Sequence, residues 1–281
     1  MQFKLLNPEQ RRQFDDDGYL IVRNALDEAT TARLIEAGDR LIHSDQTLNR
    51  QTMSGNYDSF RNCVSMDDAF LDLLMHETTV PLIVQLFGPN IHLVTSHLIY
   101  KHPNEKGTPR NFRQPGWHRD VADSPHDLGH AHIPRFEMKC AYYLTDTSEP
   151  RSAVTMFAPG SNHLKEKLHI PEGEKDPEGA LEPSLQPGDA VFFENRTWHA
   201  GAANLLGRTT KAVMMGYGFN WMQPMDYRVQ AEHLLDKTDD IGKQLLGGLK
   251  DAEGRFVPGA ITKPLKDWCK AHNVIYRPVD F

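Results

Sequence analysis

The sequence predicts a mainly β α+β fold, with a helical N-terminal part packed on a C-terminal β-barrel or sandwich. Three observations carry this. Apolar residues recur at helical spacing through much of residues 1–90. From residue 117 onward the pattern changes to short apolar runs broken by Pro and Gly: "EMKCAYYLTD", "AVTMFAPG", "LEPSLQPGDAVFFEN" and "KAVMMGYGFN". No break in composition demands a second domain, so the 281 residues read as one: 1–90 the helical part, 91–225 the β core and 226–281 a C-terminal extension.

Each element has a local reason. Asn7 can cap a helix that has Pro8 and Glu9 in its first turn, and Asp17-Gly18 ends it. "YLIVRNAL" is a short apolar strand. Residues 27–43 carry Ala29, Leu34, Ile35, Leu41 and Ile42 at helical spacing behind the N-cap Asp27, which leaves His43-Ser44-Asp45 at a frayed, solvated helix end. "AFLDLLMHETTVPLIVQLF" is one helix or two, closed by Gly88. "NIHLVTSHLIYKHP" alternates as a strand and stops at Pro103. Residues 104–116 and 121–135 read as loops, and "HLKEKLHIPEGEKDPEGA" as a polar surface excursion. The tail is helix and loop.

Composition removes several classes. No run approaches the ~20 apolar residues that span a bilayer, and "MQFKLLNPEQRRQF" has no apolar signal core, so the expectation is a cytoplasmic chain with no membrane partner. Cys63, Cys140 and Cys269 are too scattered for a disulfide framework or a zinc knuckle. A net charge of −7 without a basic stripe argues against nucleic acid. A small-molecule substrate and a monomer or homodimer remain.

The chemistry concentrates in two stretches. In "QPGWHRDVAD", His118 and Asp120 would share one face of a strand while Arg119 takes the other. In "FFENRTWHAGAANLLGRTTKAVMM", His199 follows a strand and Arg208 precedes the next one. Two imidazoles and a carboxylate suit non-haem Fe(II) and leave positions for a bidentate 2-oxo acid and O2. An arginine fork is the natural partner for the far carboxylate of such an acid. Each piece also has a plain reading, since a histidine near a strand end is usually structural and a lone arginine usually lies on the surface. The order of the pieces shifts the balance. Other readings fit worse. His126, His130 and His132 lack a carboxylate or Cys partner at metal-site spacing. "HRDV" has Pro125 where a kinase loop needs Asn. "PGSNH" is not a nucleophile elbow.

Over most of its length the chain resembles the phytanoyl-CoA dioxygenase (PhyH) family of Fe(II)/2-oxoglutarate-dependent oxygenases. The resemblance rests on "LNPEQRRQFDDDGYLIVRNALDEAT", "AFLDLLMHETTVPLIVQLFGPNI", "WHRD", "YYLTDTSEPRSAVTMFAPGSNH" and "QPGDAVFFENRTWHAGAANLLGR". It implies a double-stranded β-helix (jelly-roll, cupin-like) core. It assigns His118, Asp120 and His199 to iron and Arg208 to the distal carboxylate of 2-oxoglutarate, and it puts His97, Tyr142 and Arg61 at further co-substrate contacts. Ser152-Ala153 and Gly201 depart from the family pattern, and the second departure leaves one co-substrate hydrogen bond unassigned.

The implied activity is oxidation, by default hydroxylation, of an unactivated C–H bond of a small organic molecule, with Fe(II), 2-oxoglutarate and O2 as cofactors and ascorbate as an aid. The walls of the substrate pocket would be Phe112, Trp117 and Trp221. Two other classes stay open on the residues alone: a non-catalytic cupin-like sensor, and a zinc hydrolase using the same triad.

Overall fold

The computed structural model describes residues 5–47, 51–54, 56–121, 123–250, 253–255 and 263–276. Helix α1 (Pro8–Asp17) begins with a reciprocal capping box: the Asn7 side chain accepts from the Gln10 amide, and the Gln10 side chain accepts from the Asn7 amide. Gly18 ends it at φ 79°, a left-handed conformation that favours glycine. A Cβ at Gly18 would also stand 2.2 Å from Thr197 Oγ1, so the turn is held against the β core. Strand β1 (Tyr19–Val22) follows, then α2 (Glu28–Leu41), whose N-cap Asp27 accepts from the Thr30 amide. The hairpin β2 (Gln51–Ser54) and β3 (Tyr57–Arg61) lies next. The stretch up to Gly88 then forms two helices, α3 (Asp68–Leu74) and α4 (Val80–Phe87).

The core begins with the long strand β4 (Ile91–Lys101). A loop and the short helix α5 (Ser124–Leu128) lead to β5 (Glu137–Tyr143). Then come β6 (Thr155–Phe157), β7 (Ala190–Glu194), β8 (His199–Gly201) and β9 (Thr210–Phe219). Among the described residues, three helices follow β9: α6 (Glu232–Leu235), α7 (Asp240–Leu245) and α8 (Pro264–Ala271).

Seven strands form one antiparallel sheet in the order β1-β7-β5-β9-β4-β3-β2, and β6 pairs with β8 in a second. Isolated bridges extend the small sheet, joining Arg113 to Ala202, His118 to His199 and Ser152 to Asn204. The two sheets face each other as a double-stranded β-helix, the jelly-roll core. Each face of the large sheet has its own core. Met138, Cys140, Tyr142, Met215 and Tyr217 pack with the helices on one side, while Ala141, Tyr143, Phe157, Phe193 and Ala212 pack between the sheets.

The N-terminal part is less purely helical than its periodicity suggests. It supplies β1 to one edge of the large sheet and the β2–β3 hairpin to the other. The hairpin was missed because "QTMSGNYDSF" has no clear apolar alternation. The 121–135 loop likewise contains α5 and a 3-10 turn at His130–His132. The three cysteines are buried and unpaired. No helix among the described residues is long and apolar enough to cross a membrane.

Candidate metal centre and cavity

His199 is the first residue of β8, and the backbone at His118 pairs with it reciprocally, each amide donating to the other's carbonyl at 3.0 Å. Directly opposed residues of an antiparallel ladder project to the same face, and the two rings stand 4.2 Å apart. Asp120, two residues on, joins them, so that one donor atom from each residue lies within 4.8 Å of the others. Among the described residues this is the one such group.

Protonation and orientation are set by neighbours. His118 Nδ1 lies 2.8 Å from the Gly116 carbonyl and His199 Nδ1 3.0 Å from the Thr197 carbonyl. A carbonyl only accepts, so each Nδ1 carries the hydrogen and each Nε2 keeps a free lone pair. Burial pushes the His199 imidazole down to about 4, so it stands neutral. Burial opposes ionisation of Asp120, but the hydrogen-bonded Lys139 ammonium outweighs it and holds the carboxyl below its ordinary range. Lys139 Nζ donates to Asp120 Oδ1 at 2.5 Å, while the buried Oδ2 has no partner. His199 Nε2 lies 3.6 Å from Asp120 Oδ1, and two imidazoles with one carboxylate gathered in this way form a donor set that fits a divalent non-haem iron.

A family model described as phytanoyl-CoA dioxygenase (PhyH) matches residues 14–210, a span that contains all three of these residues. The chain belongs to the PhyH family. It is therefore a non-haem iron, 2-oxoglutarate-dependent oxygenase. It is similar to the dioxygenase andF of Emericella variicolor, at 25% identity over 207 residues that cover 69% of this chain and 67% of that protein. A shorter stretch of 54 residues, 19% of this chain and 16% of the other, is 44% identical to the dioxygenase peniF of Penicillium patulum. Among solved structures it resembles the epimerase SnoN in complex with Fe3+, alpha-ketoglutarate and nogalamycin RO (TM-score 0.58, 19% identity, 75% of this chain and 83% of that one). It also resembles the alpha-ketoglutarate-dependent carbocyclase SnoK from nogalamycin biosynthesis (TM-score 0.59, 17% identity, 83% and 91% covered). At these identities the structural likeness is one of fold.

In this PhyH-family chain the triad opens on a cavity of about 210 Å³ between the two sheets. The alternation of each strand decides what reaches it. Strand β4 contributes His97, Ile99 and Lys101, β9 contributes Thr210, Ala212 and Met214, and β5 contributes Lys139 and Tyr143. Arg61 lines it from the end of β3 and is held by Thr95 at 2.9 Å and Asp226 at 3.4 Å. His97 is half-buried, its Nε2 atom buried and unpartnered, and desolvation followed by the charges of Arg61 and Lys139 keeps it neutral. Behind Lys139, both oxygens of buried Glu137 lack hydrogen bonds, and burial raises that acid to about 7.

The structure thus brings His97 and Arg61 to the same cavity as the triad, but it does not bring Tyr142 or Arg208 there. Tyr142 faces the helix-side core, and its neighbour Tyr143 takes the cavity position, donating to Thr155 Oγ1 at 2.9 Å. One residue along a strand exchanges faces. Arg208 sits in the turn before β9, about half exposed, and points to the surface loop after β5, where it meets Glu149 at 3.0 Å and Asp146 at 3.6 Å.

The expected aromatic walls also lie elsewhere. Phe112 and Trp221 are exposed, and Trp117 donates to Asp176. Arg119 does face away from the triad, but it is buried, donating to the carbonyls of Arg196, Ser161 and Leu164. His126 and His132 are exposed, and His130 stacks on Trp198.

Reading the sequence missed Lys101, Lys139 and Tyr143. The signal for the two lysines was present. Each interrupts an apolar strand run ("HLIYKHP", "EMKCAYYL"), where a charge is rare without a buried role.

Proposed function

We propose that this chain oxidises an unactivated C–H bond of a small organic molecule, by default through hydroxylation, in natural-product biosynthesis. His118, Asp120 and His199 would hold Fe(II). The bound metal, with 2-oxoglutarate and O2, supplies the oxidising power, and the co-substrate leaves as succinate and CO2. The observation that carries the reading is the gathering of one donor atom each from His118, Asp120 and His199 within 4.8 Å of one another, at the wall of a cavity between the two sheets.

The protein's own part is positional. The Gly116 and Thr197 carbonyls fix both imidazole tautomers. Lys139 engages one oxygen of Asp120 and leaves the other for metal. Ile99, Pro115, Ala200, Ala212 and Met214 give the cavity apolar walls, suited to holding a hydrocarbon portion away from water. The biosynthetic setting is supported by the nogalamycin enzymes that share the fold.

The test is succinate released from 2-oxoglutarate by the wild-type chain with Fe(II) and ascorbate, measured across a panel of small apolar candidates. Substrate-stimulated succinate with an oxygenated product is expected. A metal-loaded chain that never forms succinate would leave the sensor reading, and hydrolysis by a zinc-loaded chain would favour the hydrolase.

A further inference from the structure

We infer that Lys101, not Arg208, anchors the distal carboxylate of the 2-oxo acid, in a seat opened by Gly201. The inference rests on the reading above, that this cavity takes 2-oxoglutarate.

Among the described residues three cations line the cavity: Arg61, Lys101 and Lys139. Two already have carboxylates, Arg61 with Asp226 and Lys139 with Asp120. Lys101 has none among the described residues. Its Nζ donates to the Gln114 carbonyl at 2.9 Å and stands 5.8 Å from the centre of the Tyr57 ring. A desolvated ammonium with two donor positions left over is a site for an anion. Burial pulls Lys101 down to about 8, a cost that a bound carboxylate would offset.

Gly201 explains why the ammonium can sit there. A Cβ at that position would lie 2.4 Å from Lys101 Nζ and 2.1 Å from the Gln114 carbonyl oxygen. Any larger residue two positions after His199 would displace the lysine or the Gln114 backbone. The position is also suitably placed relative to the metal ligands. Two residues along a strand is one same-face step, about 6.7 Å, so Lys101 Nζ stands one such step along β8 from the His199 backbone. Across the ladder Lys101 pairs with Thr210, the first residue of β9. Arg208 lies two residues before it, outside the strand and satisfied by surface acids.

The experiment is equilibrium binding without turnover. The Fe(II)-loaded chain is titrated anaerobically with 2-oxoglutarate and with 2-oxovalerate, which has a methyl group in place of the distal carboxylate. Calorimetry or the iron–oxo-acid absorption band reports each Kd. Wild type should prefer 2-oxoglutarate. Lys101→Met should weaken 2-oxoglutarate about 30-fold or more, the loss typical of a truncated buried charge pair, while leaving 2-oxovalerate unchanged. Lys101→Arg should restore part of the preference. Arg208→Met should keep the wild-type preference. Lys101→Gln serves if the methionine variant melts well below wild type.

An unchanged preference in a folded Lys101→Met or Lys101→Gln chain overturns the inference and leaves the proposed function standing. Loss of preference in Arg208→Met also overturns it. If the metal-loaded wild type binds neither acid, the co-substrate reading fails and this inference fails with it.

Discussion

Replacing Arg119 with alanine tests how the segment that carries His118 and Asp120 is held. Arg119 separates the two candidate ligands His118 and Asp120, and only 3% of it is exposed. Its guanidinium donates to the Arg196 carbonyl at 2.6 Å, Ser161 at 2.8 Å and Leu164 at 2.9 Å, and lies 5.4 Å from the centre of the Trp198 ring. Hydrogen bonds from a charged donor are worth roughly 1.5–3 kcal/mol each. Three would sum to about 4.5–9 kcal/mol, but water entering the vacated space can satisfy some of the carbonyls, which brings the net loss to about 3–5 kcal/mol. At roughly 2–4 °C per kcal/mol, the melting temperature should fall by about 6–20 °C. Arg119→Lys should lose about half as much, because a single ammonium cannot span the three carbonyls that the planar fork reaches. The assay is thermal unfolding of the metal-free variants, followed by circular dichroism and calorimetry. An alanine variant that melts within about 2 °C of wild type would refute the reasoning, since these bonds would then carry no net stability.

Three other outcomes are expected. Asp120→Ala should lose the anionic ligand, lowering Fe(II) affinity by more than the roughly 10- to 100-fold that loss of an outer partner costs, as read by metal content after dialysis. Gly201→Ala should be destabilised by about 1–3 kcal/mol, because the new Cβ meets the Gln114 backbone oxygen; denaturant unfolding measures this. Burial lowers His92 from 6.5 to about 4, so between those values the unfolded chain takes up a proton that the folded chain refuses, and stability should fall as pH drops from about 6.5 to about 4. His92→Gln should flatten that slope in unfolding measured across the window.

What the sequence determined by itself was what neighbours in the chain decide. The Asn7–Gln10 capping box, the Asp27 cap and the Gly18 stop are contacts between residues a few positions apart, so their spelling is enough. The order His118, Asp120, His199 stood out because two imidazoles and a carboxylate suit a metal and few other uses need that set, and the structure gathers the three. Only the tertiary structure could separate Tyr142 from Tyr143. Both faces of β5 are buried, so the run "CAYYL" has no polar alternation to mark the inner side, and the face is settled by pairing with β7 and β9. The same holds for the cations. Arg208 and Lys101 are 107 positions apart, and which of them turns inward depends on the bend before β9 and on the space that Gly201 leaves. That space lies between Lys101, the Gln114 carbonyl and β8, segments that meet only once the two sheets close on each other.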